Sequence, residues 1–153
     1  MCDDYRKSFG DDSIKLVNLK EVSEEQWSTY IGRKNSHYNL PQSIFANPYS
    51  TKEYERETAV RLYELHLFKK LLSNEEFYDS FSELKGETLS CWCLPELCHG
   101  EVLCNAVIAD SNNELLEHIE SRFETLQATL FLYTDEKNEV KELLEGLSEN
   151  PFN

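Results

Sequence analysis

The stretch Thr88-Leu89-Ser90-Cys91-Trp92-Cys93-Leu94-Pro95-Glu96-Leu97-Cys98-His99-Gly100 decides how this chain is read. Its first six residues carry no charge, which fits a short strand buried on both faces of a sheet. Pro95 breaks that strand, because its ring removes a backbone donor. Cys98-His99-Gly100 then leads into Glu101-Val102-Leu103-Cys104-Asn105-Ala106-Val107-Ile108, a helix with an apolar face.

Upstream, Ile14-Lys15-Leu16-Val17-Asn18-Leu19 alternates apolar and polar residues and predicts a strand. The segment from Trp27 to Pro48 is rich in Gly, Asn, Ser and Pro and predicts a long loop of the kind that often carries function. Ser50-Thr51-Lys52-Glu53 is a capping-box pattern that predicts a helix start at Ser50. Tyr54, Val60, Tyr63, Leu67, Phe68 and Leu71 follow at helical spacing as one apolar stripe. A shorter helix is predicted from Asn74 to Leu84, ended by Lys85-Gly86. Downstream, the pattern predicts a helix from Asn113 to Gln127, a strand at Thr129-Leu130-Phe131-Leu132-Tyr133 and an acidic helix from Asn138 to Leu147.

Strands separated by helices predict an α/β fold: a small, mostly parallel sheet flanked by helices, with an acidic helical C-terminal extension. The expected organisation is a disordered tail at 1–12, an α/β core at 13–110 and the extension at 111–153, packed on that core. In such sheets ligands collect beyond the carboxyl ends of the strands, where Cys93 to His99 would lie.

Twenty-nine acids against 15 bases give a formal charge of −14. That field repels a phosphate backbone, so direct nucleic-acid binding is disfavoured. A small anion in a locally basic pocket remains compatible with it, as does a basic protein partner. The extension, from Glu114 to Glu149, offers a surface for a protein partner or a homodimer. No apolar run approaches the ~20 residues needed to span a bilayer, and the N-terminus is polar, so the expected location is cytoplasmic and not at a membrane.

Four of the five cysteines, Cys91, Cys93, Cys98 and Cys104, fall within fourteen residues. Local clustering without an export signal points to reduced thiols serving metal binding, catalysis or burial. In an extended strand Cys91 and Cys93 project from one face, and Cys98 with His99 returns after a four-residue turn at a helix start, where a thiolate is favoured. A metal reading takes Cys91, Cys93, Cys98 and either His99 or Cys104 as ligands, with zinc or an iron-sulfur cluster as cofactor. A catalytic reading takes Cys98 or Cys93 as nucleophile or redox thiol and His99 as base or anion donor. A third reading makes the thiols simple packing, which fits Cys104 best. His66 and His118 read as packing or surface residues. No P-loop, dinucleotide fingerprint, nucleophile elbow or zinc-protease motif is present.

Several stretches together resemble a family of phage and prokaryotic proteins known as a domain of unknown function. They are Val17-Asn18-Leu19, Tyr30-Ile31-Gly32-Arg33, Phe45-Ala46-Asn47-Pro48, Arg56-Glu57 with Tyr63, and Leu84 through Gly100, ending in C-W-C-x-P-x-x-C-H-G. The resemblance spans about residues 14 to 108 and, for a viral source, implies the host cytoplasm. The loop between Arg33 and Phe45 is longer than the compact form of that family. The resemblance carries no activity, but it selects a polar set: Asn18, Arg33, Asn47 and Arg56 as ligand-binding residues beside Cys93, Cys98 and His99. A guanidinium suits bidentate recognition of phosphate or carboxylate. The leading expectation is therefore an enzyme or binding domain for a small anionic, nucleotide-like molecule. The alternatives are a metal-stabilised module without catalysis and an acidic phage-type effector of a host protein.

Overall fold

The uncharged run at residues 88–91 becomes an inner strand, paired on both sides. The computed structural model describes residues 6–8, 14–21, 29–93, 96–129 and 134–152. Its sheet contains β1 (Arg6–Ser8), β2 (Lys15–Asn18), β3 (Thr29–Tyr30) and β4 (Thr88–Cys91), in the spatial order β1-β2-β4-β3. β4 runs parallel to both β2 and β3, and β1 is antiparallel to β2. The register sets Asn18 opposite Cys91 and Tyr30 opposite Ser90. Three carboxyl ends therefore emerge on one side of the molecule.

The two edge strands are not where the sequence pattern placed structure. Arg6–Ser8 lies inside the segment expected as a tail, whose remaining residues fall outside those described. Thr29–Tyr30 lies inside the expected loop. Runs of two or three residues are too short to show alternation. They form because β2 and β4 each have an edge whose backbone groups need partners.

Five helices follow: α1 (Arg56–Ser73), α2 (Glu75–Ser82), α3 (His99–Ser111), α4 (Leu115–Thr129) and α5 (Thr134–Glu145). α1 begins six residues after Ser50. The Ser50 carbonyl accepts from Glu53 N and Tyr54 N, at 3.1 and 3.0 Å, while its Oγ accepts from Lys52 N at 3.0 Å. These bonds close one isolated turn, after which Glu55 is extended and restarts the helix. α2 falls within the helix predicted from Asn74 to Leu84 and is capped by Asn74, whose Oδ1 accepts from Phe77 N at 3.0 Å. Gly86, at φ +77°, supplies the left-handed residue that turns the chain into β4.

α1 is the centre of the molecule, and α2, α3, α4 and α5 all pack on it. That is why Ala59, Leu62 and Leu65 are buried in addition to the expected stripe. Leu16, Leu89 and Cys91 of the sheet join α1, α3, Leu115, Ile119, Phe123 and Leu126 of α4, and Val140 of α5 in one hydrophobic cluster. Glu64 on α1 accepts both Nε and Nη2 of Arg122 on α4, each at 2.7 Å, a fork geometry that fixes the two helices in register. The strand expected at Thr129 to Tyr133 lies outside the described residues apart from Thr129, which ends α4. His118 meets the Phe68 ring edge-on and His66 sits against Tyr49 and Tyr63, so both pack. Among the described residues no helix is long and apolar enough to cross a membrane.

α3 meets the sheet at Gly100. A Cβ there would lie 2.6 Å from Leu16 Cδ1 and 2.8 Å from Ile31 Cδ1, both on fully buried side chains. Gly100→Ala is expected to lower the unfolding free energy by about 1–3 kcal/mol through overpacking, measured by urea denaturation. An unchanged midpoint would mean that the helix start is free to shift.

Candidate functional site

The site begins where β4 stops. Asn18 Nδ2 donates to Trp92 O at 3.1 Å while its Oδ1 accepts from Lys20 N at 2.9 Å, clamping the exit of β4 to the end of β2. Cys93 O accepts from Glu96 N at 2.8 Å, and Cys98 lies two residues further on. Cys98 is the N-cap of α3. Its Sγ accepts from Gly100 N at 3.2 Å and its N–H donates to Glu101 Oε2 at 3.1 Å, a capping box with sulfur in the place of the usual hydroxyl.

This path puts Cys91 Sγ 3.0 Å from Cys98 Sγ, and brings the sulfurs of Cys91, Cys93 and Cys98 within 4.8 Å of one another. Three free thiols so placed are able to hold a metal ion. His99, the first residue of α3, is anchored by Nε2 to Ile31 O at 2.8 Å. A carbonyl only accepts, so Nε2 carries a hydrogen; Nδ1, 3.7 Å from Cys98 Sγ, is a lone pair in the neutral ring and a donor to sulfur in the cation. The Tyr63 ring stands edge-on to the imidazole at 4.9 Å, with its hydroxyl donating to Phe45 O at 2.8 Å.

The sequence expectation of a thiolate at Cys98 shifts to its neighbour. Hydrogen bonds from the Cys91 and Cys98 thiols, with His99 beside it, hold Cys93 far below the usual thiol range. The counterpart is that Cys91 is pushed up to about 12, chiefly by its bond to Cys93. Cys98 is raised well above its ordinary value by Cys91, Cys93 and its own burial, which outweigh the helix start. The lowered thiol is the one half-buried sulfur of the three.

A cavity of about 420 Å³ opens beside the cluster. Of the expected residues, Arg33, Asn47, Arg56, Cys91, Cys93 and His99 line it. Cys98 and Asn18 do not: Cys98 is fully buried beneath, and Asn18 is a clamp. Asn47 also braces, with Nδ2 donating to Ala59 O at 3.2 Å and Oδ1 accepting from Tyr49 N at 2.8 Å. Arg33 Nε donates to Asn47 O at 2.9 Å, and Arg56 Nη1 donates to Leu97 O at 3.3 Å. Arg56 pairs with neither flanking glutamate; Glu57 instead takes Arg61, at 2.7 Å.

Sequence reasoning missed Tyr30, Lys34, Trp92 and Glu96 in the lining. Strict alternation along a strand would set Trp92 on the opposite face from Cys91 and Cys93, but β4 ends at Cys91. Its indole N–H donates to the Tyr30 hydroxyl at 2.8 Å, which donates in turn to Arg33 O at 2.5 Å. Gly32 permits this, since a Cβ there would overlap the Tyr30 ring. The adjacency Arg33-Lys34 was the available signal for the second cation.

Fold and site together define an α/β domain with a thiol cluster at the carboxyl ends of its parallel strands. Residues 14–109 match the family described as Domain of unknown function (DUF4326), and the chain belongs to that family. It is 38% identical over 101 residues to "Uncharacterized protein R718" of Acanthamoeba polyphaga mimivirus, covering 59% of this chain and 74% of that protein. It is 29% identical over 70 residues to "Uncharacterized 12.4 kDa protein in nrdA-td intergenic region" of Enterobacteria phage T4, covering 45% of this chain and 65% of that protein. No solved structure matches the chain.

In reduced, metal-free protein, a short pulse of iodoacetamide at pH 6 is expected to label Cys93 ahead of Cys91, Cys98 and Cys104, read by peptide mass mapping. Burial protects the other three, and thiolate character at a pH where ordinary thiols are protonated favours Cys93. Faster labelling of Cys98 would reverse the charge assignment.

Proposed function

We propose that this domain binds a small anionic, nucleotide-like molecule in the cavity bounded by Arg33, Lys34 and Arg56. The observation that carries the reading is charge placement. In a chain of net charge −14, three cations line one cavity, and among the described residues none has a carboxylate within 4.0 Å. Cations that form no ion pair in so acidic a protein favour an external anion as their partner. The terminal nitrogen Nη2 of Arg56 and both of Arg33 make no hydrogen bond among the described residues, which leaves donors for phosphate or carboxylate oxygens. Trp92, Tyr30 and Tyr49 in the same lining give the aromatic surface that a base would use, and the volume suits a ligand of that size. Glu96 also lines the cavity. If the domain catalyses a reaction, Cys93 and His99 face the ligand and would supply the chemistry, with Cys98 beneath them.

A second reading is favoured by the sulfur geometry: a zinc- or iron-sulfur-binding module without catalysis.

Thermal-shift screening of nucleoside mono-, di- and triphosphates, phosphorylated sugars and inorganic phosphate tests the first reading. A ligand that raises Tm for the wild type is expected to bind at least about tenfold more weakly to Arg33→Ala and to Arg56→Ala, as for the loss of a charged hydrogen bond. Arg61→Ala, whose guanidinium is held by Glu57, is expected to keep wild-type binding. No shift with any of these compounds, or equal loss in the Arg61 variant, would sink the proposal.

A further inference from the structure

We infer that Cys91, Cys93, Cys98 and His99 form a mononuclear S₃N site for a zinc-class divalent ion, with His99 Nδ1 as the fourth ligand, set in the wall between the hydrophobic core and the cavity. This deepens the metal reading above and stands apart from the anionic-ligand reading.

Three geometric observations carry it. The first is sulfur spacing. Zinc binds thiolate at about 2.3 Å, so two sulfurs on one tetrahedral ion lie ~3.8 Å apart. The three Sγ atoms already fall within 4.8 Å of one another, with Cys91 and Cys98 at 3.0 Å, so ligation needs the closest pair to open, and any wider pair to close, by no more than ~1 Å. In a [4Fe–4S] cluster each thiolate binds a different iron, and in a [2Fe–2S] cluster at least one of three thiolates must bind the second iron, so the three sulfurs do not all stand close together. The compact triangle therefore favours a single ion.

The second observation is the imidazole. A ligating histidine characteristically donates its other ring N–H to a carbonyl or carboxylate, which fixes the tautomer and aims the ligand nitrogen. His99 has that arrangement, with Nε2 on Ile31 O at 2.8 Å and Nδ1 turned to the sulfurs. Its 3.7 Å separation from Cys98 Sγ matches the S···N edge of a zinc tetrahedron, ~3.6 Å, but the group that already gathers within 4.8 Å is the three thiols alone, so the imidazole must swing closer to complete the set. The third is position. Cys98 and His99 are held by the α3 cap and Cys91 by the sheet, so three of the four ligands are placed by secondary structure before any ion binds. Cys91, Cys93 and His99 also line the cavity, which gives the ion an entry path.

The full-length protein, purified anaerobically with a thiol reductant and then incubated with zinc and dialysed, is expected to retain one zinc per chain by elemental analysis. Replacement by cobalt(II) should give the intense thiolate charge-transfer absorption of a tetrahedral site, and X-ray absorption on the wild type should resolve three sulfurs and one nitrogen. Cys93→Ser and His99→Ala should lose stoichiometric zinc, whereas Cys104→Ala, from the core, should keep it. Because the spectroscopy uses the wild type, an unfolded variant does not blunt the test. Protein that holds no zinc, more than one metal per chain together with acid-labile sulfide, or a first shell without nitrogen would each overturn the assignment. Zinc bound as expected while no anion shifts Tm would leave this site standing and remove the anionic-ligand reading. An anion shift in protein that cannot hold zinc would do the reverse.

Discussion

Parallel pairing of β4 with both β2 and β3 is the constraint on which the rest of this structure depends. Parallel strands point their carboxyl ends the same way, so the segments that leave Asn18, Tyr30 and Cys91 begin as neighbours although they are far apart in sequence. The cavity inherits its lining from that geometry: Arg33 follows β3, Trp92 and Cys93 follow β4, and His99 arrives with the helix that β4 feeds. Arg56 joins them from the start of the central helix, where its guanidinium reaches Leu97 O.

A second layer of order comes from backbone bracing. Asn18 and Asn47 each use both ends of a short amide on main-chain groups, and Tyr30 links Trp92 to the backbone of Arg33. These bonds give irregular segments a definite shape without the periodic ladders of helix or sheet. The cap at Cys98 belongs to the same class of device. Because a thiol occupies the capping position, the residue that starts α3 also presents sulfur to Cys91.

How much of this was legible in the sequence follows from the range of the interactions involved. The inner strands β2 and β4, the short helix α2 and the three C-terminal helices announce themselves through local patterns of apolarity. The α/β class follows from their alternation. β1 and β3 do not, because two- and three-residue strands are defined by a neighbour's free edge and not by their own side chains. Ser50 misled for a related reason: the same side chain that caps a helix can close a lone turn, and only the extended Glu55 decides between them. In the site, clustering made Cys91, Cys93, Cys98 and His99 visible, but which sulfur faces solvent depends on where β4 ends. The roles of Asn18 and Asn47 as braces are tertiary facts, invisible until the carbonyls they hold are brought to them.

The position of α1 has a bearing on modularity. The family match stops at residue 109, yet α4 and α5, which lie beyond it, cover part of α1 and place Ile119, Phe123 and Val140 in the shared core. In this chain the region common to the family does not enclose its own interior. The later helices act as an integral shell, and cutting the chain after α3 would leave a sticky apolar wall in search of another cover.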